Sequence, residues 1–150
     1  MSTLRLACIM ADITRDDTRM RKLLAGKPRI AMVGASDNPA RDSNLVFRYL
    51  RAAGYDVIPV NPMTPTVDGV PTVPDLAAAA ATGPIDMVDV FRAADQVGPV
   101  VEDAIKIKAS SVWFQLGVVN PAAIDRATKA GLDVVVDLCI KVEHARLGLK

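Results

Sequence analysis

A short apolar run that ends in a glycine and a polar turn is the feature that most limits what this chain can become. Arg29-Ile30-Ala31-Met32-Val33 runs into Gly34, and Ala35-Ser36-Asp37-Asn38-Pro39 follows. Leu45, Val46, Tyr49 and Leu50 then recur at helical spacing within a helix expected from Asn44 to Ala53. Strand, tight loop and helix in that order open a nucleotide-binding α/β domain. The loop is poor in glycine, and that departure carries much of the later argument.

The same alternation continues along the chain. A leading helix is predicted over Thr14 to Ala25, stopped by Gly26-Lys27-Pro28. Before it, the apolar stretch Leu4 to Met10 either extends the helix or forms a separate turn packed on a sheet edge. Asp56 to Val60 reads as the second strand. Pro59 cannot donate to a ladder, so an edge or strand end is expected there. Met63 to Pro74 is a loop with a short edge segment. Asp75 caps a short helix through Ala81. Ile85 to Phe91 reads as a third strand, Asp95 to Ala109 as a helix, and Ser111 to Phe114 as a fourth strand. Asn120 as N-cap with Pro121 at the first helical position starts a helix to Ala130. Asp133 to Val136 is the fifth strand, and Asp137 to His144 closes the pattern without a predicted element. Apolar strands separated by helices imply a Rossmann-like, doubly wound, mainly parallel sheet of five or six strands with helices on both faces. One domain is expected: an arm over residues 1–15, the folded unit over 16–146, and a tail over 147–150.

Composition narrows the function. The chain has 150 residues with 18 Lys plus Arg against 17 Asp plus Glu, so no charge excess points to nucleic acid. Two cysteines without a CxxC spacing and one histidine make a metal centre unlooked-for. Arg5 and the acidic residues after Ala11 break the leading apolar run, which makes it a poor secretory signal and a poor membrane span. The expected location is the cytoplasm.

Ligands of doubly wound sheets bind beyond the carboxyl ends of the strands. The residues placed there are Gly34, Ser36, Asn38 and Arg41 after the first strand, and Asn61 and Pro62 after the second. Phe91 and Arg92 follow the third, Gln115 and Gly117 the fourth, and Asp137, Cys139 and Lys141 the fifth. No G-x-x-x-x-G-K-[ST] run is present, which disfavours a P-loop kinase or ATPase. Ser36 stands where a dinucleotide loop has its second glycine, and the second strand ends in Asn61 rather than an acid for a nicotinamide ribose. An NAD(P)-binding protein is therefore the weaker alternative. Arg41 has the donor fork for phosphate, or else pairs with Asp37 or Asp42. Arg92 has the same two readings, with Asp95 as the local partner. Asp89 is expected to bond to loop N–H groups. Cys139 is read as a small buried hydrophobe, or as a reactive thiol near Lys141 or His144.

Taken together, these segments resemble the small stand-alone CoA-binding proteins related to the N-terminal CoA-binding domain of the succinyl-CoA synthetase alpha subunit. The matching pieces are Ile30 to Pro39 with Arg41 and Ser43, Val60-Asn61-Pro62, Val88 to Arg92, Trp113 to Val118, and Asp137 to Arg146. The resemblance covers Asp16 to Arg146. It implies a coenzyme A or acyl-CoA ligand at the carboxyl edge of the sheet, with its phosphates on Gly34-Ala35-Ser36. Asn38, Pro39, Arg41 and Ser43 match the extension of that loop. Asn61 and Pro62 would line the nucleotide or pantetheine path, and Phe91, Arg92 and Gln115 the next wall. The related synthetase also needs a phosphohistidine domain and a beta subunit, neither of which is seen here, so ligase activity is not expected and His144 is not the phosphohistidine. The alternative to simple binding is a CoA-linked transferase or thiol-dependent enzyme using Cys139. A small-molecule CoA ligand is the expected partner, with a homodimer or another protein as further options.

Overall fold

A computed structural model describes residues 12–150. The predicted Leu4 to Met10 segment lies outside them. Helix α1 spans Asp17–Ala25, capped by Asp16, whose side chain accepts from the Arg19 N–H. It begins later than Thr14 because Asp12 and Ile13 are extended: the Ile13 N–H donates to Val134 O at 2.9 Å. Strand β1 is Ile30–Val33, α2 is Asp42–Ala52 and β2 is Val57–Val60. A two-stranded antiparallel hairpin follows, β3 Thr66–Val67 and β4 Val70–Pro71. Helix α3 is Leu76–Ala81, with Asp75 accepting from the Ala78 N–H. Strand β5 is Met87–Val90, a 3-10 turn occupies Ala94–Gln96, and α4 is Val97–Lys106. Strand β6 is Ser111–Phe114, α5 is Pro121–Lys129, β7 is Asp133–Val136 and α6 is Ile140–Arg146.

The five-stranded sheet has the order β2-β1-β5-β6-β7, and every pair in it is parallel. The chain leaves β1 for β2 on one side and returns past β1 to β5 on the other. The order therefore reverses between β1 and β5, the switch point at which such sheets open a crevice. Pro59 sits on edge strand β2, as its missing donor requires. Both edges are partly covered from within the chain, by Val73 beside Val60 and by Asp12 beside Val134.

Strand alternation divides the core in two. Ala31, Val88, Val90, Val112, Phe114 and Val134 face α3, α4 and α5, packing on Leu76, Val101, Ala104 and Ala127. Ile30, Met32, Met87, Trp113 and Val135 face α1, α2 and α6, packing on Met20, Leu24, Phe47, Leu50 and Ile140. Helix α6 is the element the sequence pattern did not announce. It is tied down by polar contacts. Tyr49 Oη and His144 Nδ1 are hydrogen-bonded at 2.8 Å. Arg146 donates to both carboxylate oxygens of Asp17, and to Glu143. Just before the helix, the buried Trp113 indole donates to Leu138 O at 2.8 Å.

Candidate functional site

The crevice at the switch point is built from main chain. Gly34 has φ +83°, and a Cβ there would stand 2.1 Å from Phe91 O. No side chain at position 34 fits that approach, so the exits of β1 and β5 close on one another through the Gly34 and Phe91 main chain. The loop after Gly34 holds its own shape. The Asn38 N–H donates to Ser36 Oγ, and the Ala40 N–H donates to Asn38 Oδ1. Asn44 Nδ2 donates to Ser36 O, and Asn61 Nδ2 donates to Ala35 O at 2.8 Å. Helix α2 then starts with Arg41 at its N-cap and no side-chain cap bond, leaving first-turn N–H groups without that partner.

A cleft of about 710 Å³ opens here, within the range of small-molecule sites. Gly34, Ser36, Arg41, Ser43, Phe91, Arg92, Gln115, Cys139 and Lys141 all line it. The structure also adds Asp42, Leu45, Val46, Leu116, Val118 and Val142, which strand-exit reasoning did not single out. Asn61 and Pro62 line a second pocket of about 230 Å³, which shares Gly34 and Arg92 with the first and is bordered also by Asp75 and Asp103. The remaining sequence candidates line neither space. Ala35 is buried beneath the loop. Asn38 shapes the turn, and Pro39 is exposed. The Gly117 N–H donates to Asp137 Oδ1, which ties the β6 and β7 exits together.

Three cations border the cleft. Arg41 is exposed and makes none of the ion pairs with Asp37 or Asp42 that the sequence left open; Asp37 instead accepts from the Asp68 N–H. Arg92 donates to Gln96 Oε1 at 2.8 Å rather than pairing with Asp95. Lys141 lies 5.8 Å from the Tyr49 ring centre. Cys139 is half-buried at the N-cap of α6, neither sealed in the core nor fully open.

Beneath the cleft lies Asp89, fully buried. It does not meet loop N–H groups as expected. Gln115 Nε2 donates to its Oδ1, and the Ile140 N–H donates to Gln115 Oε1, while Asp89 Oδ2 has no partner among the described residues. Burial pushes this carboxyl up to about 7, with the Gln115 hydrogen bond and the Val90 backbone opposing. Burial, and secondarily Lys27, hold the His144 ring below its ordinary value. Among the described residues no group of three or more His, Cys, Asp or Glu is placed to hold a metal ion. No helix there is long and apolar enough to cross a membrane.

A parallel doubly wound sheet with a crevice at its switch point defines a Rossmann-like α/β protein. A family model described as "CoA binding domain" matches residues 28–145, and the chain belongs to that family. It is similar to the uncharacterized protein YneT of Bacillus subtilis, 41% identical over 126 residues, which span 84% of this chain and 92% of that one. A hypothetical protein from Pyrococcus horikoshii OT3 superposes with a TM-score of 0.84 at 39% identity, covering 91% of this chain and 96% of the other. At the level of fold alone, the chain also matches the dinucleotide-forming acetyl-coenzyme A synthetase 1 of Ca. Korarchaeum cryptofilum. That match has a TM-score of 0.63 at 21% identity, covering 76% of this chain and 27% of the synthetase.

Proposed function

We propose that this protein binds coenzyme A, free or acylated, across the carboxyl ends of β1, β5 and β6. The observation that carries the reading is the Gly34–Phe91 approach. It brings the Gly34 and Phe91 main chain together beside the N-terminus of α2, where N–H groups without a side-chain cap and the helix dipole favour a phosphate. Arg41 and Arg92 flank this main chain and supply charge-assisted donors for a diphosphate. Asp42 at the same helix start limits how much negative charge the site accepts, which favours a ligand gripped along its length over a lone anion.

The smaller pocket at Asn61 and Pro62 suits the nucleotide end of the ligand, and the larger cleft suits the pantetheine arm and thiol. Both hydrogen-bonding ends of the Asn61 amide are already engaged, by Ala35 O and by the Met63 N–H. Asn61 therefore shapes the pocket, and as a neutral amide it stands where a nicotinamide-binding strand carries the carboxylate for its ribose diol, which counts against a nicotinamide dinucleotide. The protein's own contribution is to hold and orient the ligand; no residue here is assigned a chemical step.

Calorimetry with coenzyme A, dephospho-CoA, NAD and NADP tests the reading. Coenzyme A should bind at least tenfold tighter than either nicotinamide nucleotide. Arg41→Ala should weaken it by about tenfold or more, the worth of a charged hydrogen bond, while Arg19→Ala on α1 leaves it within about twofold. Equal or absent binding across the four ligands overturns the proposal.

A further inference from the structure

The apolar side of the cleft calls for an occupant. Among the described residues the exposed large hydrophobic side chains are Leu45, Met63, Leu116, Val119 and Val142. Leu45, Leu116 and Val142 line the main cleft, at 39%, 65% and 56% exposure. Val119 is one residue beyond the cleft-lining Val118, and Met63 is one beyond Pro62 of the smaller pocket. Among the described residues, three of the five exposed large hydrophobic side chains thus line one cleft, where buried Val46 and Val118 extend the apolar surface inward. Apolar surface collected in a concavity marks a site that something covers.

We infer that this wall takes the acyl chain of a thioester ligand, so that the protein selects uncharged aliphatic acyl-CoA over free coenzyme A. The inference rests on the CoA-binding reading above and names the ligand class of the same cleft. The chemistry is two-sided: Gly34, Arg41 and Arg92 suit the phosphates, while Leu45, Leu116 and Val142 suit hydrocarbon. An aliphatic acyl-CoA carries both parts on one molecule. A second copy of the chain is the poorer occupant. A two-fold contact through this face would set Arg41, Arg92 and Lys141 of one copy near those of the other, and like charges oppose such a contact. The cleft is also concave, which suits a chain inserted along it.

Calorimetry with coenzyme A, acetyl-CoA, hexanoyl-CoA and sodium hexanoate is the test, with size-exclusion chromatography of the same samples. Each methylene buried is worth up to about fourfold in affinity. Hexanoyl-CoA should bind at least tenfold tighter than acetyl-CoA, with a more negative heat-capacity change. Hexanoate alone should bind too weakly to detect. Leu116→Asn and Val142→Gln alter exposed side chains, so the fold is retained. They should remove the chain-length gain, bringing hexanoyl-CoA and acetyl-CoA within about twofold of each other, while Arg41→Ala weakens coenzyme A and hexanoyl-CoA by the same factor. Equal affinity for coenzyme A and hexanoyl-CoA overturns this inference and leaves the CoA reading standing. So does a chain-length gain that survives both substitutions, which would place the acyl chain elsewhere, or a dimer that hexanoyl-CoA does not dissociate. Absence of binding by every thioester and by coenzyme A overturns both.

Discussion

Replacing Asp89 by asparagine should make this protein more stable at neutral pH and no more stable in acid. Asp89 lies on β5 with Met32 and Trp113 as its cross-strand neighbours, both fully buried. Its carboxyl rises from an ordinary 3.8 to about 7 in the folded protein. Between those values the folded chain keeps a proton that the unfolded chain releases. The native state binds more protons there, so stability falls as pH rises from about 4 through 7. At about 1.4 kcal/mol per pH unit over that interval, the cost approaches about 4 kcal/mol, as an upper bound. An asparagine carries no charge and keeps an oxygen to accept from Gln115. Urea unfolding of wild type and Asp89→Asn at pH 3, 5, 7 and 8 isolates the effect, because other titrating groups cancel in the difference. The difference should change little between pH 3 and 4, then grow in favour of the variant to about 3–4 kcal/mol by pH 7–8. For a chain of this length that corresponds to about 8–15 °C in Tm. A difference that stays constant from pH 4 to 7, or that grows in favour of wild type, refutes the reasoning, because it means the buried carboxylate is ionised and compensated.

The same Asp89→Asn background exposes a slope of opposite sign. His144 titrates below its ordinary 6.5, so the neutral ring stabilises the fold above that pH. The stability should drain away as pH falls below 6.5, which a guanidinium series in that variant will show. Gly34→Ala should cost more than about 3 kcal/mol, since it combines a left-handed φ with a backbone clash at Phe91 O; thermal unfolding measures it, and a loss under about 1 kcal/mol contradicts the close approach. Tyr49→Phe removes the hydroxyl bonded to His144 Nδ1 and should cost about 1–2 kcal/mol by urea unfolding.

Much of the fold was legible because strands β1, β6 and β7 are continuous apolar runs bounded by turn residues, and because Asn120-Pro121 is an unambiguous helix start. Helix α6 was hidden for a physical reason. Cys139 to His144 alternates in a way that suits a strand as well as a helix. The residues it buries, Ile140, Glu143, His144 and Leu147, do follow helical spacing, but two of them are polar: Glu143 accepts from Arg146 and His144 Nδ1 is bonded to Tyr49, while His144 Nε2 has no partner among the described residues. Only tertiary contacts make that stripe a buried face. The cleft was readable for a related reason. Strand exits are fixed by topology, so Gly34, Phe91, Arg92 and Gln115 could be gathered before any coordinates. Leu45, Leu116 and Val142 could not, because hydropathy does not distinguish an aliphatic residue in the core from one lining a cleft. Asp89 was assigned the wrong partner because its bond to Gln115 depends on the register between β5 and β6.

Helix α6 joins no strand ladder; side-chain bonds from Tyr49, Arg146 and Gln115 help secure it, while Cys139, Lys141 and Val142 form one wall of the cleft. Its attachment is therefore packing and side-chain bonding, whose sub-global opening amide exchange resolves. A ligand seated against that wall closes such an opening by mass action, slowing exchange across residues 140–146 by about a hundredfold when present at a hundred times its Kd. The ligand would then act as a late folding element, completing a wall that the chain itself holds by side chains and not by strand pairing.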